Sequence, residues 1–266
     1  MMKLGLMAEK TWNRFYSKTI VPRLEKTYIA EDGEVIHYLF YPKKNSRILV
    51  VILQAFHPAG ARYNYIATLS NANANRLYIK DDFDPASGNF HLGHEGTFNQ
   101  EADVHRLIRS VAEKCHAEKL IFVGSCKGGF CALNLGIEYP GSSIIVGAPI
   151  YLVGSKMMEL KKWHKALADA IGAEPTPKRI SALDQRLRDK IRNDPYKQTH
   201  RFYVHYSIND HYYDDGVVYL LEDLDAIHAT LYRDQHDYQG HDNLKWFFPD
   251  YLKKSIAKEI DGIEDN

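Results

Sequence analysis

The 266 residues carry 34 lysines and arginines against 34 aspartates and glutamates, so no net field draws the chain to nucleic acid or to an anionic membrane surface, and recognition has to be local. With 45% hydrophobic and 12% aromatic residues the chain is long enough to bury one sizeable core, and a single α/β domain over residues 1–266 is expected. No apolar run approaches membrane-spanning length, and the opening stretch MMKLGLMAEKTWNRF has a lysine inside its only apolar patch and no small-residue cleavage site after it, so neither a span nor a signal peptide is expected. The three cysteines, Cys115, Cys126 and Cys131, form no even disulfide set and lack metal-ligand spacing, which points to a reducing cytoplasm.

In chain order, Lys26 to Ala30 and Val35 to Tyr41 alternate in polarity across Glu31-Asp32-Gly33-Glu34, the pattern of a β-hairpin at a sheet edge. Arg47 to Ala55, RILVVILQA, is a continuous apolar run, as in a parallel strand buried on both faces. The loop Phe56-His57-Pro58-Ala59-Gly60 follows it, then a short helical candidate, Asn64 to Asn73, with Tyr63 and Tyr65 at its start. Arg76 to Lys80 reads as the next strand, ending in Asp81-Asp82-Phe83-Asp84-Pro85. Strand C-terminal ends line the ligand crevice of doubly wound sheets, so Asp81 and Asp82 are candidates for the substrate mouth; the alternative is a solvated turn, and no metal is expected. Glu101 to Glu118 is amphipathic, with Val104, Leu107, Ile108 and Val111 on one face.

The stretch LIFVGSCKGGFCALNLGIEYP, Leu120 to Pro140, organises the rest: an apolar strand to Val123, the turn Gly124-Ser125-Cys126-Lys127-Gly128-Gly129, and a helix with Phe130, Leu133, Leu135 and Ile137. It fits the G-x-nucleophile-x-G elbow of α/β-hydrolases with Cys126 as the nucleophile. Ser125 in that slot would put Val123 and Lys127 where small residues are required, and Cys131 reads as a packing residue. The N–H groups of Phe56, after the preceding strand, and of Lys127 occupy the oxyanion-hole positions. Ser143 to Ala148 is another buried strand, and Leu152 to His200 is charged and helical, an insertion at about 152–200 placed where such enzymes carry a cap. Most of its basic residues, among them Lys161, Lys162, Lys165, Lys178, Arg179, Arg186 and Arg188, read as solvated helix faces. Arg201 to Ile208 is a strand, and Asp210 just past it is the candidate acid, with Tyr212 and Tyr213 beside it. Val217 to Ile227 reads as a helix and Thr230 to Tyr232 as a short last strand; His241, after Gly240 and before a terminal helix near Leu244, is the candidate base, with His236 in reserve.

Taken together, AFHPAGARYNY (55–65), LYIKDDFD (77–84), GSCKGG (124–129), IND (208–210) and GHDN (240–243) resemble the bacterial capsular polysaccharide O-acetyltransferases of the meningococcal serogroup A type and related capsule-biosynthesis and accessory-secretion proteins. The resemblance implies an α/β-hydrolase fold, a mostly parallel sheet flanked by helices, and a cytoplasmic enzyme moving an acetyl group from acetyl-CoA to a polysaccharide hydroxyl without a metal. His57, Tyr63, Tyr65, Asp81, Asp82 and Tyr213 are then candidates for contact with the sugar. Such proteins usually present serine where this chain has Cys126, which leaves open a cysteine nucleophile, a serine replacement or a weakened enzyme. An esterase or thioesterase with the same triad and a non-catalytic assembly factor remain the alternatives.

Overall fold

The computed structural model describes residues 19–57, 61–83 and 88–264. The opening stretch, Pro58-Ala59-Gly60 and Asp84-Pro85 lie outside the described residues. After the short helix α1 (Val21–Leu24), β1 (Lys26–Ile29) and β2 (Val35–Tyr41) form the expected hairpin, with Ile29 opposite Val35. The remaining strands are β3 (Ile48–Leu53), β4 (Asn75–Ile79), β5 (Lys119–Ser125), β6 (Ser143–Gly147), β7 (Arg201–Ser207) and β8 (Thr230–His236). They lie in one eight-stranded sheet ordered β1-β2-β4-β3-β5-β6-β7-β8; β2 is antiparallel to both β1 and β4, and the strands from β4 to β8 pair in parallel. The order turns back on itself between β3 and β5, because β4 lies on one side of β3 and β5 on the other. At such a switch point the loops leaving the strand ends diverge and open a crevice; here these loops carry Phe56 and Cys126.

All of β3 is buried, and its side chains divide by the period of a strand. Leu49, Val51 and Leu53 face the core shared with α2 (Asn99–Lys114), α3 (Lys127–Gly136) and the insertion, whereas Val50 and Ile52 face the terminal helix α8 (Leu244–Glu264) through Phe248 and Leu252. The Asn64 to Asn73 segment is a succession of turns, not a helix: Tyr65 sits at φ 61° with its hydroxyl 2.6 Å from Ser125 Oγ, and single bonds such as Leu69 N–H to Tyr65 O replace a continuing ladder. The last strand runs to His236, four residues beyond the sequence expectation, because Ser207 still pairs with His236.

The insertion comprises α4 (Val153–Glu159), α5 (His164–Ile171) and α6 (Pro177–Asn193), the last started by Thr176 as N-cap and Pro177. Arg186 and Arg188, expected on solvated faces, are instead drawn inward by buried carboxylates. Arg186 makes two 2.8 Å bonds to Glu101 of α2, and Arg188 bonds Asp223 of α7 (Val218–Ala226) at 2.8 Å. Lys161, Lys162, Lys165, Lys178 and Arg179 are exposed.

Candidate active site

The turn from β5 to α3 has room for no side chain at its glycines. A Cβ on Gly124 would stand 1.9 Å from Gly128 O, and one on Gly128 would stand 2.5 Å from Leu53 O. Cys126, between them, is held at φ 52° and ψ −120°, a conformation an L-residue adopts only when its surroundings enforce it. The enforcement is local: its N–H donates to Gly147 O at 3.0 Å, and its carbonyl accepts from Gly129 N at 3.0 Å and Ile150 N at 3.1 Å.

The Cys126 side chain is 7% exposed, with Sγ 3.5 Å from the Tyr212 hydroxyl and His241 close enough to act on its proton affinity. His241 Nδ1 lies 2.8 Å from Asp210 Oδ2. Asp210 is 2% exposed, and its Oδ1 accepts the Tyr212 N–H at 3.0 Å. Burial opposes charge on both partners of the thiol–imidazole pair, but their mutual attraction prevails: the Cys126 thiol is brought below its ordinary value by His241, the Tyr212 hydroxyl and the Lys127 N–H. Asp210 and the thiolate together raise His241 to about 9. The lowered thiol and the raised imidazole each favour charge on the other, an arrangement able to support nucleophilic attack by sulfur with the imidazole carrying the proton.

The remaining candidates divide. Phe56 follows β3 beside the elbow; its ring packs on Trp163 of the insertion at 5.4 Å, with Lys162 Nζ 3.3 Å above it. The Lys127 backbone begins α3, while its side chain is fully buried and bonds Asp81 at 2.6 Å. Asp81 also accepts N–H groups from Asn89 at 3.1 Å and Phe90 at 2.8 Å and is 1% exposed, so its carboxylate is committed to the interior, not to the mouth. Asp82 and Tyr63 belong to a polar network apart from Cys126: Tyr63 donates to Glu25 at 2.8 Å, Lys80 bridges Glu25 and Asp82, and His37 pairs with Asp82. Tyr65 stands one residue from Cys126 through Ser125. His57 is half-buried with Arg62 3.4 Å away, and Tyr213 stacks on Tyr206. His236, the reserve base, faces Asp234 at 3.3 Å instead of Asp210. The sequence gives Tyr212 only a place beside Asp210, yet its ring lies 4.2 Å from that of His241; its position next but one to Asp210 is the available signal.

Residues 18–258 match the model of the family described as accessory Sec system GspB-transporter. The chain belongs to that family. A search of curated protein sequences finds no match. Among solved structures, the capsule O-acetyltransferase of Neisseria meningitidis serogroup A superposes with a TM-score of 0.68 at 19% identity, over 89% of this chain and 99% of that one. A mutant of that enzyme in complex with CoA superposes equally well, at 17% identity. The glycosylation associate protein complex of Streptococcus agalactiae gives a TM-score of 0.72 at 17% identity, over 88% of this chain and 46% of that one, and an S-formylglutathione hydrolase from Agrobacterium tumefaciens gives 0.61 at 14% over 89% and 94%. These likenesses show the fold, a mostly parallel sheet with flanking helices of the α/β-hydrolase kind.

Proposed function

We propose that the protein is a cytoplasmic acyltransferase that moves an acetyl group from acetyl-CoA to a hydroxyl of a polysaccharide through an acyl-thioester on Cys126. The observation that carries this reading is a cysteine held at φ 52° on the strand-to-helix elbow, in reach of an imidazole that is itself bonded at 2.8 Å to a buried carboxylate. The CoA complex of the meningococcal relative supports a CoA donor.

In the first half-reaction the Cys126 thiolate adds to the thioester carbonyl, and the oxyanion lies toward the N–H groups of Phe56 and Lys127, a term worth roughly 3–4 kcal/mol per donor. Collapse expels CoA as the thiol, with the proton supplied by the His241 imidazolium. Asp210 holds the imidazole so that Nδ1–H points at the carboxylate and Nε2 at the reacting atoms. In the second half, Nε2 takes the proton of the sugar hydroxyl as its oxygen attacks the acyl-Cys126, and the thiolate leaves. The first step exchanges one thioester for another, and the second, thioester to oxygen ester, is downhill, so cysteine suits this donor. Trp163 and Lys162 set the insertion against Phe56, which supports its role as a cap over 152–200 that keeps water from the acyl-enzyme. His57, which follows Phe56, and Tyr213, which follows Tyr212, remain the candidates for sugar contact.

Brief exposure to acetyl-CoA followed by mass spectrometry should place an acetyl group on Cys126, with turnover reduced roughly 10³-fold or more by His241→Ala while circular dichroism shows the fold retained. Release of CoA and sugar-bound acetyl are then followed by NMR with and without capsular oligosaccharides. Acceptor-dependent CoA release with matching sugar acetylation supports the transferase; acetate released without acceptor makes the protein a hydrolase; label on another residue alone removes Cys126 as nucleophile.

A further inference from the structure

A second cluster of chemically able side chains sits on the neighbouring strands, outside the proposed mechanism. We propose that His205, Asp234 and His236 bind one divalent first-row transition ion, of the zinc class. In the parallel pairing of β7 and β8, His205 is opposite Asp234 and Ser207 is opposite His236. Residues two apart on a strand share a face, so the two β8 side chains and the β7 imidazole project together. His205 Nδ1 is 2.6 Å and His236 Nε2 3.3 Å from Asp234 Oδ2, and all three donor atoms lie within 4.8 Å of one another. A tetrahedral ion with bonds of about 2.0–2.2 Å sets its donors about 3.3–3.6 Å apart, so the His236–Asp234 spacing already fits and the part-exposed Asp234 carboxylate has to turn away from His205 Nδ1 to admit the ion. Two imidazoles and one carboxylate with an open fourth position is a ligand set that imidazole-preferring divalent ions accept.

The electrostatics point the same way. Asp234 hydrogen-bonds only to these two histidines, and among the described residues no lysine or arginine pairs with it. His205 is fully buried. The cluster thus holds one carboxylate facing two imidazoles without a fixed cation, and a dication completes it. The shell is built: His205 is ringed by Tyr238, Phe248 and Tyr251 at 5.7–5.8 Å, and His236 packs on Phe247 at 5.1 Å. The buried Tyr238 hydroxyl, on the ring that stacks against His205, has no hydrogen-bond partner among the described residues. His205 Nε2 has no partner among the described residues either, so moving the ring proton from Nδ1 to Nε2 as the metal binds breaks no bond at that nitrogen.

The ion would act as a clamp. β7 runs on to Asp210 and the His236 end of β8 to His241, and the two loops are already tied by Ile208 N–H to His236 O at 3.3 Å and Gly240 N–H to Asn209 O at 3.1 Å. Purified chain is stripped with chelator and titrated with Co²⁺, then with competing Zn²⁺. One equivalent of Co²⁺ should give a visible d–d band that Zn²⁺ removes, and Zn²⁺ at ~100 times its Kd should raise Tm by about 5–10 °C. Asp234→Asn and His236→Gln, verified as folded by circular dichroism, should each weaken binding beyond the ~10–100-fold typical of changes around a metal's ligands. Absence of stoichiometric binding, binding unaltered in the double variant, or a thiolate-to-cobalt band lost in Cys126→Ser would each overturn the assignment.

Discussion

Replacing Asp210 by Asn tests the electrostatics of the site with almost no change of shape. The carboxylate accepts two donors, Tyr212 N–H at Oδ1 and His241 Nδ1–H at Oδ2, 3.0 and 2.8 Å away. An amide has one acceptor, so either Tyr212 loses its partner or His241 turns to the tautomer whose Nε2 already carries the proton and cannot take another. A hydrogen bond to a charged group contributes about 1.5–3 kcal/mol, and one pH unit corresponds to about 1.4 kcal/mol, so imidazolium formation should move down by about one to two pH units. With less imidazolium beside it, the Cys126 thiolate should form at correspondingly higher pH, the pair titrating in two shared steps. The assay is the rate of iodoacetamide alkylation of the Cys126 peptide from pH 4 to 10, read by mass spectrometry. Stability carries the matching sign: His241 is raised from 6.5 to about 9 in the folded chain, so its contribution is complete below pH 6.5 and lost as pH rises through 9. The stability gap between parent and variant should close over the same interval, and acyl transfer should fall roughly 10³–10⁴-fold. Superimposable alkylation profiles for the two proteins would refute the ion-pair description.

Lys127→Met should destabilise the chain by about 3–5 kcal/mol in urea, because it leaves Asp81 charged at 1% exposure, and Lys127→Met with Asp81→Leu should recover a substantial part of that loss. Arg186→Ala should cost about 1.5–3 kcal/mol through loss of the bidentate bond to Glu101. Glu101 is lowered to about 2 in the parent, although its burial alone would raise it, so its contribution is present above pH 4.5 and lost as pH falls toward 2; in the variant that loss should begin at higher pH in acid denaturation followed by circular dichroism.

What the sequence made legible follows from periodicity and punctuation. The buried run at β3, the alternation in the hairpin and the Gly-flanked turn after β5 each encode one backbone state, and their strands lie within a residue or two of expectation. The order elbow, acid, histidine was readable because a parallel sheet brings successive strand ends to one edge, where Cys126, Asp210 and His241 lie. Pairing across long separations was not readable. Nothing local distinguishes Arg186, which finds Glu101, from Lys178, which stays in solvent; only the packing of α6 against α2 does. The same holds for Asp81, whose place at a strand end suggested a ligand and whose partner proved to be the lysine of the elbow. The turns at 65–71 were misread as a helix because Tyr65 φ is set by a contact with Ser125, sixty residues away.

The buried Lys127–Asp81 pair explains how a strained elbow is kept rigid without closing the crevice. A non-glycine residue in such a conformation costs of order 1–3 kcal/mol, so the residues on either side must be fixed more firmly than Cys126 itself. On the β6 side this is done by Gly147 O and Ile150 N–H. On the β4 side it is done by Lys127, whose ammonium reaches an aspartate that two backbone N–H groups and Gln54 also hold. The lysine charge is thereby neutralised inside the sheet, while its backbone N–H stays at the start of α3 beside the sulfur. Side chain and main chain of one residue thus serve different ends, the first anchoring the turn and the second favouring negative charge on the sulfur. Substitution of Lys127 therefore perturbs stability and chemistry together at any pH at which Asp81 is charged, whereas the stability effect of substituting Asp210 fades as pH rises through 9.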